Sequence, residues 1–592
     1  MDKQNYRQIV VAIDFGTTYS GFGFAEANVI GESSIQVFRG WGRGQGFSFY
    51  KTPSCVLLNP DGSFCKFGHA AVETYTKALA KGDNKDFIYF ERFKLILYNT
   101  KNLSKDTSLM AANGAVVKAL DLFSVCLAYL GDKAMEYVNT SGQRGSRTYQ
   151  PTDVQWVITV PAIWEPTAKE FMREAAYKAG LASPDDPDQL LIALEPEAAS
   201  FYCRTLQMKD FLGESGDEFV NEGLASYIVI DNGGGTLDIT VHEIQEDGTI
   251  HEIHCPAGGD IGGMHVDREF QRMLFTVFSE DFINKFRRDF PNDWQKIMND
   301  FEIQKRAEQG VDSDEVSIVL PFNFVNAYSR DVGSDENINE RLLTSYKNNE
   351  VTVSNGYLSL SLEVIRHFFE PVVEKTIDAI KSLLRQIRHN DVNTMFLVGG
   401  FSQALPLRKA FAQVFPDKRV LTPRDAELAI IKGAVMFAQS PDLLTTRIMA
   451  KTYGIDINEV FDASKHPEEK KTEICGIIYC EDIFDILVKE DEKVNIGEKR
   501  SFFFSPVHPE QTTATLRFFS THNTKTQFVT DPGVIAENVG FQIITPDVTK
   551  GLRRNIELNI YFGGTEIKVT ATDVASGTSA KAALRLVTKK LS

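Results

Sequence analysis

Twice in this chain an apolar strand runs into an aspartate, then a glycine-rich turn carrying threonine, then a second apolar strand. The first copy, Ile9 to Ile13, ends at Asp14-Phe15-Gly16-Thr17-Thr18 and resumes as an extended stretch from Tyr19 to Glu26. More than two hundred residues later, Tyr227 to Ile230 leads into Asp231-Asn232-Gly233-Gly234-Gly235-Thr236 and then Leu237 to Ile244. Apolar runs punctuated by glycine turns read as strand, tight turn and strand. Repetition of that unit across the chain is the signature of an internally duplicated, two-lobed protein. The length of 592 residues agrees, because it calls for roughly two to four cores and excludes a single small module.

Helical material follows each copy. Leu120, Phe123, Leu127 and Leu130 recur at helical spacing, and Val154 to Val160 is an unbroken apolar strand closed by Pro161. Glu165 to Ala179 is predicted as a helix, with Pro166 in its first turn and Gly180 as its cap. Further on, Val266 to Phe290, Asp293 to Glu308 and Leu362 to Arg388 read as helices. Strand Thr394 to Val398 then meets Gly399-Gly400, before helix Leu405 to Phe415. Alternating strands and helices predict α/β lobes over 1–225 and 226–440. Past Ser440-Pro441-Asp442 apolar and polar residues alternate, as in Ile567-Lys568-Val569-Thr570-Ala571-Thr572, so 441–592 is expected to be a β domain ending in a short strand, Ala582 to Leu591.

Composition narrows the function classes. A net charge of -17 argues against a nucleic-acid backbone as main partner, since that affinity rests on clustered Lys and Arg. No apolar run reaches the roughly 20 residues that cross a bilayer, and MDKQNYRQIV is not a signal peptide, so a cytoplasmic or nuclear chain is expected. The seven cysteines are odd in number and form no CxxC pair, which predicts reduced and mostly buried thiols.

Glycine turns after strands aim several backbone N–H groups in one direction, forming an anion site to which threonine hydroxyls add donors. Two such turns can grip a polyphosphate from both sides. Each follows a carboxylate, Asp14 or Asp231, which would repel phosphate unless a cation intervened, and magnesium is the usual companion of nucleotide phosphates. Asp238 adds a further carboxylate on the outgoing strand. There is no GxxxxGK[ST], which excludes a P-loop, and the Gly40 to Gly46 stretch lacks the strand-to-helix setting of a dinucleotide fingerprint. It reads as a surface turn.

Val11-Ala-Ile-Asp-Phe-Gly-Thr-Thr-Tyr-Ser20, Ile230-Asp-Asn-Gly-Gly-Gly-Thr-Leu-Asp238 and Leu397-Val-Gly-Gly-Phe401 resemble the two phosphate motifs and the adenosine motif of the actin-like ATPase superfamily. Thr159-Val-Pro-Ala-Ile-Trp164, Leu194-Glu-Pro-Glu-Ala-Ala199 and FEIQKRAEQ resemble its 70-kDa heat-shock chaperone branch. Asp442-Leu443-Leu444 is similar to the interdomain linker of that branch, and Val569 to Gly577 to the last strands of its peptide-binding domain. FERFK at 90–94, KGAVMFA at 432–438 and FVTDPGV at 528–534 extend the resemblance to nearly the whole chain. It implies a duplicated, two-lobed actin-like (ribonuclease-H-like) ATPase domain, then a mostly-β domain.

The resemblance further implies ATP or ADP with Mg2+ in the cleft. Asp14 and Asp231 would hold the hydrated metal. Gly16, Thr17, Thr18, Tyr19, Gly233, Gly234, Gly235 and Thr236 would lie at the phosphates, with Asp238 nearby, and Glu195 would position the attacking water. Gly262, Gly263, Gly399, Gly400 and Phe401 would let the chain approach the nucleotide, with Glu302, Lys305 and Arg306 at the base. An unfolded peptide or a specific protein would bind the β domain, and a nucleotide-exchange factor would be a further partner.

Departures from the pattern matter. An ungapped alignment puts Phe93 where the family has its catalytic lysine and leaves Lys94 one position along, so hydrolysis is slow if Lys94 cannot reach. Gln309 and Phe401 replace serines of the pattern. No helical lid or acidic tail appears in this sequence, which predicts fast peptide exchange. Three functions compete: an ATP-regulated chaperone-like binder, a nucleotide-sensing scaffold with little turnover, and a metabolite kinase, against which the β domain speaks.

Overall fold

The structure is a computed structural model, and the residues described are 7–42, 48–83, 87–100, 103–141, 148–220, 224–306, 315–332, 350–387, 392–506, 508–544, 548–574, 577 and 579–583. Strands β1 (Ile9–Phe15), β2 (Tyr19–Glu26), β3 (Gln36–Val37), β4 (Thr52–Pro53), β5 (Val154–Val160) and β6 (Leu190–Leu194) form one sheet, ordered β6-β5-β1-β2-β3 with β4 also on β2. A second sheet uses β7 (Ser226–Asn232), β8 (Leu237–Ile244), β9 (Ile250–Gly259), β10 (Thr394–Val398), β11 (Arg419–Leu421) and β12 (Leu444–Ile448). Its order is β11-β10-β7-β8-β9-β12, with Lys493–Asn495 at the far edge.

The duplication seen in the motifs is a duplication of topology. β1 runs parallel to β5 and antiparallel to β2, and β7 runs parallel to β10 and antiparallel to β8. β1, β5, β7 and β10 are buried along almost their whole length, because helices cover both faces of these parallel strands.

The helices that matter here are α1 (Ala119–Ser141), α2 (Pro166–Lys178), α3 (Glu195–Cys203), α4 (Met264–Phe278), α5 (Pro291–Arg306), α6 (Leu362–Gln386) and α7 (Ala429–Gln439). Leu120, Phe123, Leu127 and Leu130 of α1 all point into the first core. The single helix expected over Val266 to Phe290 is two. Ser279 adopts φ 70°, breaks the run, and accepts a hydrogen bond from the Phe282 N–H to start Glu280–Asp289. Between the lobes α3 and α7 cross so closely that a Cβ on Gly433 would strike the Ala198 carbonyl, so only glycine fits.

Among the described residues no α-helix follows Gln439. The strands Lys471–Ile474, Ile477–Val488, Thr452–Val460, Thr513–Thr521 and Ile535–Ile544 form one antiparallel sheet, and Glu498–Phe504, Ile556–Phe562, Lys568–Asp573 and Ser579–Ala583 form another. They enclose a core around Ile455, Leu487, Val488, Phe518, Leu558 and Ile560. Of the last strand expected, 584–591 lies outside the described residues, as do Gln309, 307–308, Arg388 and 43–46 of the Gly40 to Gly46 turn. All seven cysteines are free, with four of them buried and Cys475 exposed. Among the described residues no helix is long and apolar enough to cross a membrane.

Candidate functional site

The two glycine turns meet face to face. A Cβ on Gly235 would lie 2.9 Å from the Thr17 methyl, and one on Gly234 would collide with the Thr18 hydroxyl. A third turn seals the second, because a Cβ on Gly262 would come within 2.7 Å of the Gly234 backbone while the Gly263 N–H donates to the Gly233 carbonyl at 3.1 Å. Gly16 is required by its own turn, where a Cβ would run into the Tyr19 carbonyl that opens β2. Gly399, at φ 85°, lies against Asp231 and Asn232, with Gly400 next to it. Glycine is thus used where a turn must approach its neighbours too closely for a side chain.

Four carboxylates line the floor: Asp14, Glu195, Asp231 and Asp238, all buried. Asp14 Oδ1 accepts from the Thr159 hydroxyl at 3.1 Å and its Oδ2 from Lys51 Nζ at 2.6 Å. Asp238 accepts from the Ile163 N–H at 3.0 Å, which ties the Thr159 to Trp164 segment of one lobe to the second turn of the other. Burial, with Glu195, Asp238 and Asp14 as neighbours, pushes Asp231 well above the usual carboxylate range. Burial likewise pushes Glu195 up to about 7, against the Lys94 ammonium and with Asp14 and Asp238 adding to the rise. Raised carboxyls crowded in a cleft are what a site awaiting positive charge looks like. Asp231 Oδ1 and Asp238 Oδ2 have no hydrogen-bond partner among the described residues, so both could receive water from a hydrated cation. Among the described residues no three acidic, His or Cys side chains converge closely enough to hold a metal directly.

Lys94 reaches the floor. Its Nζ donates to Glu195 Oε1 at 2.8 Å and lies 4.9 Å from the centre of the Trp164 ring. The device is local. Arg92 takes the left-handed conformation, φ 53°, at the start of the short turn Phe93–Leu95. That rotation sends Phe93 into the core beside Phe15 and Phe123, at 6.0 and 5.2 Å between ring centres, and aims the next residue into the cleft. Backbone handedness at Arg92 thus turns Lys94, and not Phe93, toward Glu195.

At the other end of the opening, α5 presents Glu302 and Lys305, with Arg306 closing its described part. Lys305 is buried in ion pairs with Asp267 of α4, at 2.6 Å, and with Glu302, and Arg92 approaches the same Asp267 at 3.8 Å. Phe401 is buried in the second lobe, stacked on Phe369 at 5.9 Å and next to Gly263. Its ring forms the wall behind the third turn. Tyr19 and Thr236 follow the two glycine turns, Tyr19 at the start of β2 and Thr236 just before β8.

Sequence reasoning missed Lys51, whose only cue is its place before the short strand β4, and missed the pair formed by Glu197 and Arg447. Glu197 follows Glu195 by two residues on α3. Arg447 on β12 holds it in a bidentate pair, Nε to Oε1 at 2.8 Å and Nη2 to Oε2 at 2.5 Å.

The chain is 36% identical to human "heat shock 70 kDa protein 12A", an alignment covering 97% of this chain and 90% of that protein. It belongs to the 70-kDa heat-shock protein family. Human "heat shock 70 kDa protein 12B" is 34% identical over the same shares, and "chaperone protein DnaK" of Metamycoplasma hominis is 23% identical over 60% of this chain and 51% of its own length. No family model matches the chain. Membership in the heat-shock 70 family carries with it the two-lobed, actin-like ATPase fold, and the paired sheets described above have that duplicated form.

Proposed function

We propose that this heat-shock 70 family chain binds ATP with magnesium between lobes 1–225 and 226–440, and that nucleotide state controls a β domain, 441–592, holding a peptide or a partner protein. What carries the proposal is the chain of contacts leading out of the cleft. Glu195 and Glu197 share α3, Glu197 is clamped by Arg447, and Arg447 lies on the strand that leads into the β domain. A change at Glu195 has a rigid path of one helix and one ion pair to β12. The β domain also rests on the first lobe through Arg173 Nε to Glu566 Oε1, 2.6 Å, and Lys568 to Asp188, 3.0 Å.

In this reading Asp14, Asp231 and Asp238 hold the water shell of magnesium, which would neutralise charge on the leaving phosphate. Gly16 to Tyr19, Gly233 to Thr236, Gly262, Gly263, Gly399 and Gly400 hold phosphate and sugar, backed by Phe401, and Glu302, Lys305 and Arg306 bound the base. Lys94 steadies charge at the γ-phosphate and orients Glu195 beside the attacking water. Turnover is slow, because Glu195 is tied to Lys94 and must loosen that pair to take a proton from the attacking water. A nucleotide-sensing scaffold with little hydrolysis is the second reading, favoured by that same tie. The chain acts in the cytoplasm or nucleus, and an exchange factor would bind the lobes.

Titration with labelled magnesium-ATP tests the cleft, and unchanged affinity in an Asp14→Ala, Gly234→Arg variant would sink it. Peptide-array binding with and without ATP tests the coupling. Identical peptide profiles would remove the control of the β domain by nucleotide.

A further inference from the structure

Lys51 is a fixed cation at the mouth of the first glycine turn. It precedes β4, which pairs with β2 through Tyr19↔Pro53 and Ser20↔Thr52. Three more hydrogen bonds bolt that segment to the turn: the Ser54 N–H to the Thr18 carbonyl at 2.8 Å, the Ser54 hydroxyl to the Gly16 carbonyl at 2.7 Å, and Ser20 with Ser54 at 2.7 Å. Gly21 makes room for the lysine stem, since a Cβ there would stand 2.8 Å from the Tyr50 carbonyl and 3.0 Å from Lys51 Cγ. The ammonium is therefore delivered to Asp14 Oδ2 by a rigid strand, 14% exposed against 4% for the carboxylate.

The two aspartates differ as a result. Both Asp14 oxygens are engaged, one by a hydroxyl and one by an ammonium, whereas Asp231 Oδ1 has no partner among the described residues.

We propose that Lys51 is a resident cation of the phosphate cleft, neutralising Asp14 so that nucleotide triphosphate binds even when no divalent ion accompanies it. The inference rests on the reading of the cleft as an ATP site and adds to it a weak dependence on metal. An Asp14 left bare beside a triphosphate would repel it in the low dielectric of the cleft, and magnesium would then be obligatory. With Lys51 in place part of that task is covalently built in. A lysine is suited to it, being a compact point charge with three donors, one of which can hold Asp14 while the others face phosphate.

The experiment is equilibrium titration of the full chain with a fluorescent ribose-labelled ATP, once in excess magnesium and once in excess EDTA. The quantity read is the ratio of the two dissociation constants. For the unsubstituted chain the ratio is expected to be about ten or less, and in Lys51→Met to rise a further ~10-fold or more, equivalent to about 1.4 kcal/mol. Lys51→Arg, which keeps the cation, should stay near the starting ratio. A ratio of about a thousand or more in the unsubstituted chain overturns the inference without any variant, and so does an unchanged ratio in Lys51→Met. Binding in neither buffer overturns the nucleotide reading itself, an outcome distinct from either.

Discussion

Replacing Arg447 with methionine removes the guanidinium and keeps much of the apolar stem. Arg447 and Glu197 are both buried and joined by two charge-assisted hydrogen bonds, and Glu252 of β9 lies close enough for Glu197 to help push it up to about 8, after burial itself. Removing the cation leaves the Glu197 carboxylate buried without its partner, beside a Glu252 carboxyl that holds its proton. Breaking such a pair costs about 3–5 kcal/mol, mostly the penalty on the charge left behind. β12 has a way to escape that cost, because only short ladders, to β9 and to Lys493–Asn495, hold it in the sheet. The loss should therefore appear as exchange: amide protection over Leu444–Ile448 falls by about two to three orders of magnitude, at 1.4 kcal/mol per tenfold. Hydrogen exchange read by mass spectrometry measures this directly. A second change, Glu197→Gln, removes the stranded charge and should restore at least about half of the lost protection. A protection loss below about tenfold in Arg447→Met, or no recovery in the double variant, refutes the clamp.

Other outcomes follow from the same contacts. Lys94→Ala should slow single-turnover hydrolysis by about 100-fold, as loss of a charge-stabilising donor does, and equal rates would remove Lys94 from the chemistry. Gly433→Ala puts a methyl into the Ala198 carbonyl at the helix crossing and should lower stability by about 2–4 kcal/mol, which a thermal melt would reveal, and an unchanged midpoint would mean the crossing has slack. Glu252 loses its proton near pH 8 in the folded chain but near 4.5 when unfolded, so its contribution is intact below 4.5 and is lost as pH rises toward 8. The stability difference between the unsubstituted chain and Glu252→Gln should then fall over that window by up to about 1.4 kcal/mol per pH unit, and a flat difference would place a deprotonated carboxylate there.

The strand and turn units were legible because each is local: β2, β5 and β10 begin and end where the apolar runs and glycines put them. Helix ends drifted by one or two residues at Glu165 and Asp293. The break at Ser279 was hidden, since the apolar spacing continues on both sides and only a positive φ interrupts it. The reach of Lys94 was equally hidden, because an alignment counts positions and cannot see that Arg92 turns the chain by a left-handed step. Lys51, Glu197 and Arg447 were invisible for a third reason. Their partners lie 37 and 250 residues away in sequence, and no periodicity links such distant charges.

β12 is stitched by backbone hydrogen bonds into the same sheet as β7, the strand that ends at Asp231. A connector of that kind cannot slacken by degrees. Releasing it means unzipping two ladders, which uncovers the rim of β9 and strands Lys493–Asn495 at once, so departure and return face a barrier. The lifetime of the joined state would be set by how fast a strand peels, a matter of microseconds to seconds, and a clock of that sort runs on the linker itself, whatever the speed of chemistry in the cleft.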